Sequence, residues 1–598
     1  MATGYGASAA VQNHPSGLTK RQRYEQQKQA LLSERSTFDA HWRELADYFF
    51  PRRTRFMITD RNRGDRRSQN IIDSGPRFAA RTLASGLHAG LTSPARPWMK
   101  LSTPDRELNE YPPVKEWLFT VTRRMLDVFQ KSNLYNVLPV LYGDMGVFGT
   151  GGIGALEDSK DLLRFYSYPI GSFVGGLDER GLPNTFSRDY QLTVEQTVER
   201  FAMVNGDPRN IDWTRVSTQV RNQYEMANYT APVDITWFVS PNREMDRNRF
   251  EARYTMPFHS CHYEMGRADA DFHNSEAVLA VRGFRTFPVL VPRWDVTGED
   301  TYGTDSPGIT ALGDTKGLQL QQRQKAKAIA KAIDPPLKGP PELRNEKVSL
   351  VPGGITYVQD ERGGTGRGLS PIHEVRLEGL QYLVMDMNET RDRVRRSFYE
   401  DLFLMLAMSE YSQRGGAPIT AREVEERHEE KLLALGPVLE RLNDELLDRL
   451  IDRTFAIMLA AGAIPPPPEE LLNMELKVEY VSILAQAQKL VGVVGHDRFL
   501  QSTLALVEAF PEVRHKVNAF QAVDDYADML GVNPKLVRPN DQAEQLAGAE
   551  QQAAAAAAQA EQAKSTAQAA QALGKTPVGD GGGNALDAML RSVGSQAA

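Results

Sequence analysis

Residues 149–154 read GTGGIG and set Gly149, Gly151 and Gly154 at the offsets of a dinucleotide-binding loop. Glycines in that pattern cradle a pyrophosphate only where a strand feeds them and a helix leaves them, because the helix N-terminus supplies the free N–H groups. Here the order is reversed. Leu138, Leu141, Met145 and Phe148 recur at helical spacing upstream, whereas the downstream run LLRFYSYPIGSFVGGLDERG is aromatic, β-branched and punctuated by turns. The stretch predicts a helix-to-strand corner that binds no nucleotide. A second candidate, His259, Cys261 and His262 in FHSCHYEM, has the residue types of a metal site or a nucleophile. Alternation along a strand sends Cys261 and His262 to opposite faces, and no second Cys/His cluster completes a tetrahedral set, so no bound metal is expected. Gly574-Lys575-Thr576 has Ala569 where the leading glycine of a phosphate loop belongs. With no G-x-S-x-G elbow, H-E-x-x-H helix or framed carboxylate pair either, the residues predict no catalytic group and no cofactor. One further cluster is electrostatic. The run PRRTRFMITDRNRGDRRSQN carries Arg52, Arg53, Arg55, Arg61, Arg63, Arg66 and Arg67 against two aspartates, which suits phosphates or an acidic protein surface, and equally a solvated loop.

The framework that must position such residues is large. A chain of 598 residues can hold several domains and bury a substantial core without disulfides. Its single cysteine, Cys261, has no internal partner and fits a reducing compartment. The start, MATGYGASAAVQNHPSG, lacks the basic and apolar regions of a signal peptide, and the longest apolar patches, such as LFLMLAM, are far too short to span a membrane. A formal net charge of −7 argues against high-affinity nucleic-acid binding by the chain as a whole.

Along the chain, residues 1–17 are small, polar and expected to be disordered, and a helix follows from about Leu18 to Phe50. Another starts near Asp73 and stops at SPARPW, with Trp98 packed beneath it. Residues 155 to about 300 alternate short strands with turns, interrupted by one helical stretch. Ser306-Pro307 caps a helix that runs to Asp334-Pro335, a Pro/Gly-rich β insertion occupies 335–372, and a second long helix begins near His373. Thr420 and Glu423 form a capping box for a helix to about Ala461, with a leucine stripe at Leu432, Leu435, Leu439, Leu442, Leu446 and Leu450 and a kink at Gly436-Pro437. Further helix is expected from about Glu469 to Leu536, before an Ala/Gln-rich tail.

Seven stretches in this order resemble the portal, or head-to-tail connector, proteins of short-tailed double-stranded DNA bacteriophages. They are ASGLHAGLTSPARPWMKL, VFGTGGIGALE, PIGSFVGGLDERGLPNTFSRDYQLTVEQ, YGTDSPGITALGDTKGL, RVRRSFYEDLFLML, ITAREVEERHEEKLLALGPVLERL and LKVEYVSILAQAQK. The resemblance implies a mainly helical α+β portal fold, with wing, stem, clip and crown in a subunit that forms a ring. In those terms the wing spans 18–305, the stem helices 306–334 and 373–404, the clip 335–372 and the channel loop 405–419. A kinked wing helix at 420–468, a crown at 469–540 and a low-complexity tail at 541–598 complete the chain. The implied role is a conduit for packaging and ejecting double-stranded DNA at one capsid vertex of the virion. Its implied partners are about eleven further copies, terminase, capsid and scaffolding proteins and tail adaptor proteins, with assembly in the host cytoplasm and no membrane. A non-portal head-tail adaptor is the alternative. Candidate DNA-facing residues are Arg414, Gly415 and Gly416, then Arg391, Arg395 and Arg396, whose face could instead pair with Glu400, Asp401 or a neighbouring subunit. Lys338, Arg344 and Lys347 are the candidate docking cations of the clip.

Overall fold

The computed structural model describes residues 19–333 apart from 61, 63, 106–107, 110, 205, 244, 246–254, 268 and 275. It further describes 337–338, 370–371, 379–404, 435–471, 476–481 and 540–575, with isolated residues at 502–503, 510, 521–523 and 538. The expected disordered start therefore lies outside the described residues. The chain divides into two compact units, one of residues 1–104 and 116–488, the other of 105–115 and 489–598.

Helix α1 (Lys20–Tyr48) opens on a capping box, in which the Thr19 hydroxyl accepts from the Gln22 N–H and the Gln22 side chain accepts from the Thr19 N–H. It lies on an antiparallel five-stranded sheet ordered β8-β7-β6-β5-β4, made of β4 (Phe173–Leu177), β5 (Pro183–Thr193), β6 (Pro232–Pro241), β7 (Phe258–Glu264) and β8 (Ala280–Phe284). Both faces are covered, which is why β6 and β7 read as near-continuous apolar runs. Tyr24 of α1 stacks on Phe238 at 4.9 Å over the face that carries Cys261 and Tyr263. On the opposite face Val194, Val198, Phe201 and Val220 pack against Val233 and Ile235.

Helices α2 (Gly75–Leu91), α3 (Pro112–Lys131) and α4 (Leu134–Phe148) build the helical part, with Trp98 buried and stacked on Phe129 at 5.8 Å. Strand β2 (Ile153–Asp158) pairs with β3 (Leu162–Ser167) and with β9 (Val289–Leu290). Ser306 caps the next helical start by accepting from the Ile309 N–H at 3.2 Å, with Pro307 in the first turn, and α5 spans Leu312–Ile333. Helix α6 covers Gly379–Ser397, and residues 372–378, where its start was expected, lie outside the described residues. It does not run on to 404 as one helix. Tyr399 turns with φ of 53° before helical residues resume at 400–404.

Residues 435–442 are helical, a π turn occupies Asn443–Leu447, and α7 spans Asp448–Ala460. Leu435, Leu439, Leu442, Leu446 and Leu450 are buried, whereas Leu432 and the turn needed to see a kink at Gly436-Pro437 lie outside the described residues. Continuous helix beyond Glu469 is not what forms. After a single 3-10 turn at Glu469–Leu471, β12 (Lys477–Tyr480) pairs antiparallel with β1 (Met99–Ser102). Alternating KVEY suits a strand, and a partner almost four hundred residues away overrides the local helical reading. The Ala/Gln-rich segment forms α8 (Asn540–Lys575), whose described side chains are mostly exposed, as its alanine content favours without supplying a packing face.

Candidate functional site

The GTGGIG corner joins the end of α4 to β2, so a helix enters and a strand leaves. Gly149 is the helix C-cap at φ 76°, the left-handed conformation that glycine reaches without strain. Its carbonyl accepts from the Trp294 N–H at 2.8 Å, and Gly151 donates to the Pro292 carbonyl at 3.0 Å. A side chain at Gly154 would strike the Tyr168 hydroxyl at 2.2 Å. These glycines are buried and serve close packing, with no N-terminal N–H groups pointing at a ligand.

The His/Cys cluster is likewise absorbed by the core. Cys261 is fully buried, and burial pushes its thiol well up. His259 Nδ1 meets the Tyr24 hydroxyl at 3.2 Å. On the other face His262 Nδ1 meets the Tyr190 hydroxyl at 3.0 Å, while its ring stacks on Trp237 at 5.9 Å. Burial first, then Arg200 and Arg282, holds His262 well below the usual histidine range. Among the described residues no group of three or more His, Cys, Asp or Glu could hold a metal ion, and no helix is long and apolar enough to cross a membrane.

Part of the basic loop is structural. Arg53 pairs with the buried Asp144 and donates to Ser167 at 2.9 Å, while Arg67 pairs with Asp60 at 2.5 Å. Burial raises the Asp144 carboxyl and Arg53 opposes the rise. Arg52 donates to the Asp65 carbonyl at 3.0 Å, Arg66 is exposed, and Arg61 and Arg63 lie outside the described residues.

Helices α5 and α6 pack as a hairpin whose lower half is tied to the body. Gln319, only 4% exposed, accepts from the Ile72 and Asp73 N–H groups, both at 2.7 Å, and donates to the Asp73 carbonyl at 2.8 Å. Arg391 donates to the same aspartate's carboxylate at 2.7 and 3.0 Å. Arg393 reaches Asp314 at 3.2 Å, and Gln321 donates to Asp386 across the hairpin. Beyond Gln319 the picture changes. No residue of 320–333 or 379–386 is buried, and Leu320, Ile333, Tyr382 and Met385 are more than half exposed. At the open end β10 (Leu337–Lys338) pairs antiparallel with β11 (Ser370–Pro371), so the two ends of the insertion meet.

The structure thus places Arg391 in an ion pair within the subunit and Arg395 within 3.5 Å of both Asp392 and Glu400, leaving Arg396 exposed. Arg414, Gly415, Gly416, Arg344 and Lys347, and the side chain of Lys338, lie outside the described residues. The clamp of Asp73, Gln319 and Arg391 was not foreseen, since only contacts across some 250 to 320 residues create it.

Comparison with known proteins now bears on this geometry. A profile of the family described as bacteriophage head to tail connecting protein matches residues 21–537. The chain is 38% identical over 577 residues to the portal protein of Salmonella phage epsilon15, covering 96% of this chain and 99% of that one. It is 40% identical over 527 residues to the probable portal protein of Bordetella phage BPP-1, covering 88% and 90% respectively.

Proposed function

The chain belongs to the bacteriophage head-to-tail connecting protein family, and from that premise we propose how it performs the structural, non-enzymatic work of a portal in the virion. About twelve copies close into a ring around a channel for double-stranded DNA, with the α5/α6 hairpin as the stem at the subunit interface. One observation carries this reading: the upper half of the hairpin exposes Leu320, Ile333, Tyr382 and Met385 and buries nothing of its own. An apolar surface of this kind on a soluble subunit marks an interface. Contacts between different faces of identical chains close into rings when the rotation permits.

The insertion between β10 and β11 is the docking surface for terminase during packaging and for tail proteins afterwards, through Lys338, Arg344 and Lys347. Arg414 with Gly415 and Gly416 forms the flexible loop that touches DNA. Of the stem cations, Arg396 is the one left for the lumen, because Arg391 and Arg395 are engaged within the subunit. A net charge of −7 per chain keeps the conduit from gripping many phosphates at once, which would stall a sliding duplex. Native mass measurement of the purified chain, with class-averaged end-on images, tests the ring. A stable compact monomer at micromolar concentration would refute the interface.

A further inference from the structure

A recess of about 350 Å³ opens between the basic loop and β5. Arg52, Arg55 and Asn62 line it from the loop, and Arg188, Tyr190 and Gln191 from the strand. Asp60 is the one carboxylate among the described lining residues, and Arg67 already holds it at 2.5 Å. The Arg188 guanidinium lies 4.5 Å from the centre of the Tyr168 ring and 5.9 Å from that of Tyr190, which fixes its direction. Its Nε is buried and has no hydrogen-bond partner. A further cation, Arg200, lies 5.9 Å from the Tyr190 ring.

Like charges brought this close repel one another, and the repulsion is relieved when an anion enters and accepts their forked N–H groups. We propose that this recess is a binding site for a compact oxyanion of the phosphate class, held by Arg188 from the strand and by Arg52 and Arg55 from the loop. Asn62 and Gln191 supply neutral amide donors at the rim. The volume suits one such group, and the rigid strand side of the site is set before the ligand arrives. A bound oxyanion ties the loop at 51–70 to the sheet, so occupancy orders the loop.

The test uses the full-length assembled protein and inorganic phosphate, titrated at constant ionic strength against potassium chloride, with heat of binding and thermal midpoint as readouts. Phosphate is expected to bind saturably and to raise the midpoint as mass action requires. Arg188→Gln and Arg52→Gln are each expected to weaken binding about tenfold, the usual effect of losing one charge-assisted bond. Arg52 is exposed, so Arg52→Gln decides the matter if Arg188→Gln fails to fold. A response to phosphate that chloride reproduces, or saturation unchanged in the folded variants, would overturn the site. Neither result bears on whether the chain forms a ring.

Discussion

Replacing Gln319 by methionine keeps the volume of a buried side chain and deletes every polar atom of the clamp between α5 and the segment before α2. Three hydrogen bonds go, from the Ile72 and Asp73 N–H groups at 2.7 Å each and to the Asp73 carbonyl at 2.8 Å. Each donor left unpaired in a buried place costs about 1–3 kcal/mol, and because the two N–H groups share one acceptor a local loss of about 3 kcal/mol is the working figure. Arg391 and the Gly75 N–H still hold the Asp73 carboxylate, so the segment loosens without detaching. At about 1.4 kcal/mol per tenfold, amide exchange at Ile72 and Asp73 should accelerate roughly 100-fold. Hydrogen exchange followed by mass spectrometry on a peptide covering residues 68–76 reads this directly, with a peptide from β7 as the control. Unchanged exchange at 68–76, or equal acceleration in both peptides, would refute the view that Gln319 pins this segment locally.

Gly303→Ala should destabilise the corner by about 1–3 kcal/mol or more, because its Cβ would fall 2.0 Å from the Gly149 carbonyl oxygen and backbone must move; an unaltered thermal midpoint would contradict the packing. His262 gives a pH dependence with a defined sign. Its folded pKa is depressed by burial and by Arg200 and Arg282, so its contribution is present above the unfolded value near 6.5 and is lost as pH falls through the folded value. Unfolding measured between pH 5 and 7 should show His262→Gln with a shallower loss, by up to about 1.4 kcal/mol per pH unit, and parallel profiles would show that the histidine titrates normally. Arg414→Ala should leave ring formation intact while altering the length or retention of packaged DNA; parent-like packaging would return residues 412–418 to the status of an ordinary turn.

What could be read from the sequence was local in origin. The helix-to-strand order around Gly149 shows in the spacing of Leu141, Met145 and Phe148, and the Ser306-Pro307 start follows from side chains within one turn. The family showed in the sequence as well, because long stretches keep their residues in order. Three features stayed hidden, each for a physical reason. The pairing of β12 with β1 depends on a partner hundreds of residues away. The break after α6 rests on Tyr399 at φ 53°, a residue type whose preferences give no warning of a left-handed turn. For the arginines, composition counts charges but not partners. Arg53 and Arg391 look like free cations in the sequence and are spent on Asp144 and Asp73.

The buried arginines explain why one part of the subunit stands alone and another does not. Arg293 pairs with Glu445 at 2.6 Å and donates to the Asp300 and Gly181 carbonyls, tying the helix before α7 to the loops around β9 and β4. Arg453 donates to the Ala155 carbonyl at 2.7 Å and to the Thr286 carbonyl at 2.8 Å, and burial lowers it to about 10. With Arg53 on Asp144, three cations drawn from distant parts of the sequence brace the same glycine corner through its backbone and its helix. A buried guanidinium is costly to desolvate, so each holds its place only where several acceptors converge, and that convergence fixes geometry as much as it adds stability. The upper hairpin has no such brace. Its cross-links, Gln321 to Asp386 and Arg393 to Asp314, join α5 only to α6 and leave the apolar residues outside uncovered. A subunit built this way keeps its body rigid by itself and hands the remaining burial to its neighbours, so closing the ring completes the fold of the stem without remodelling the part that docks it to the capsid.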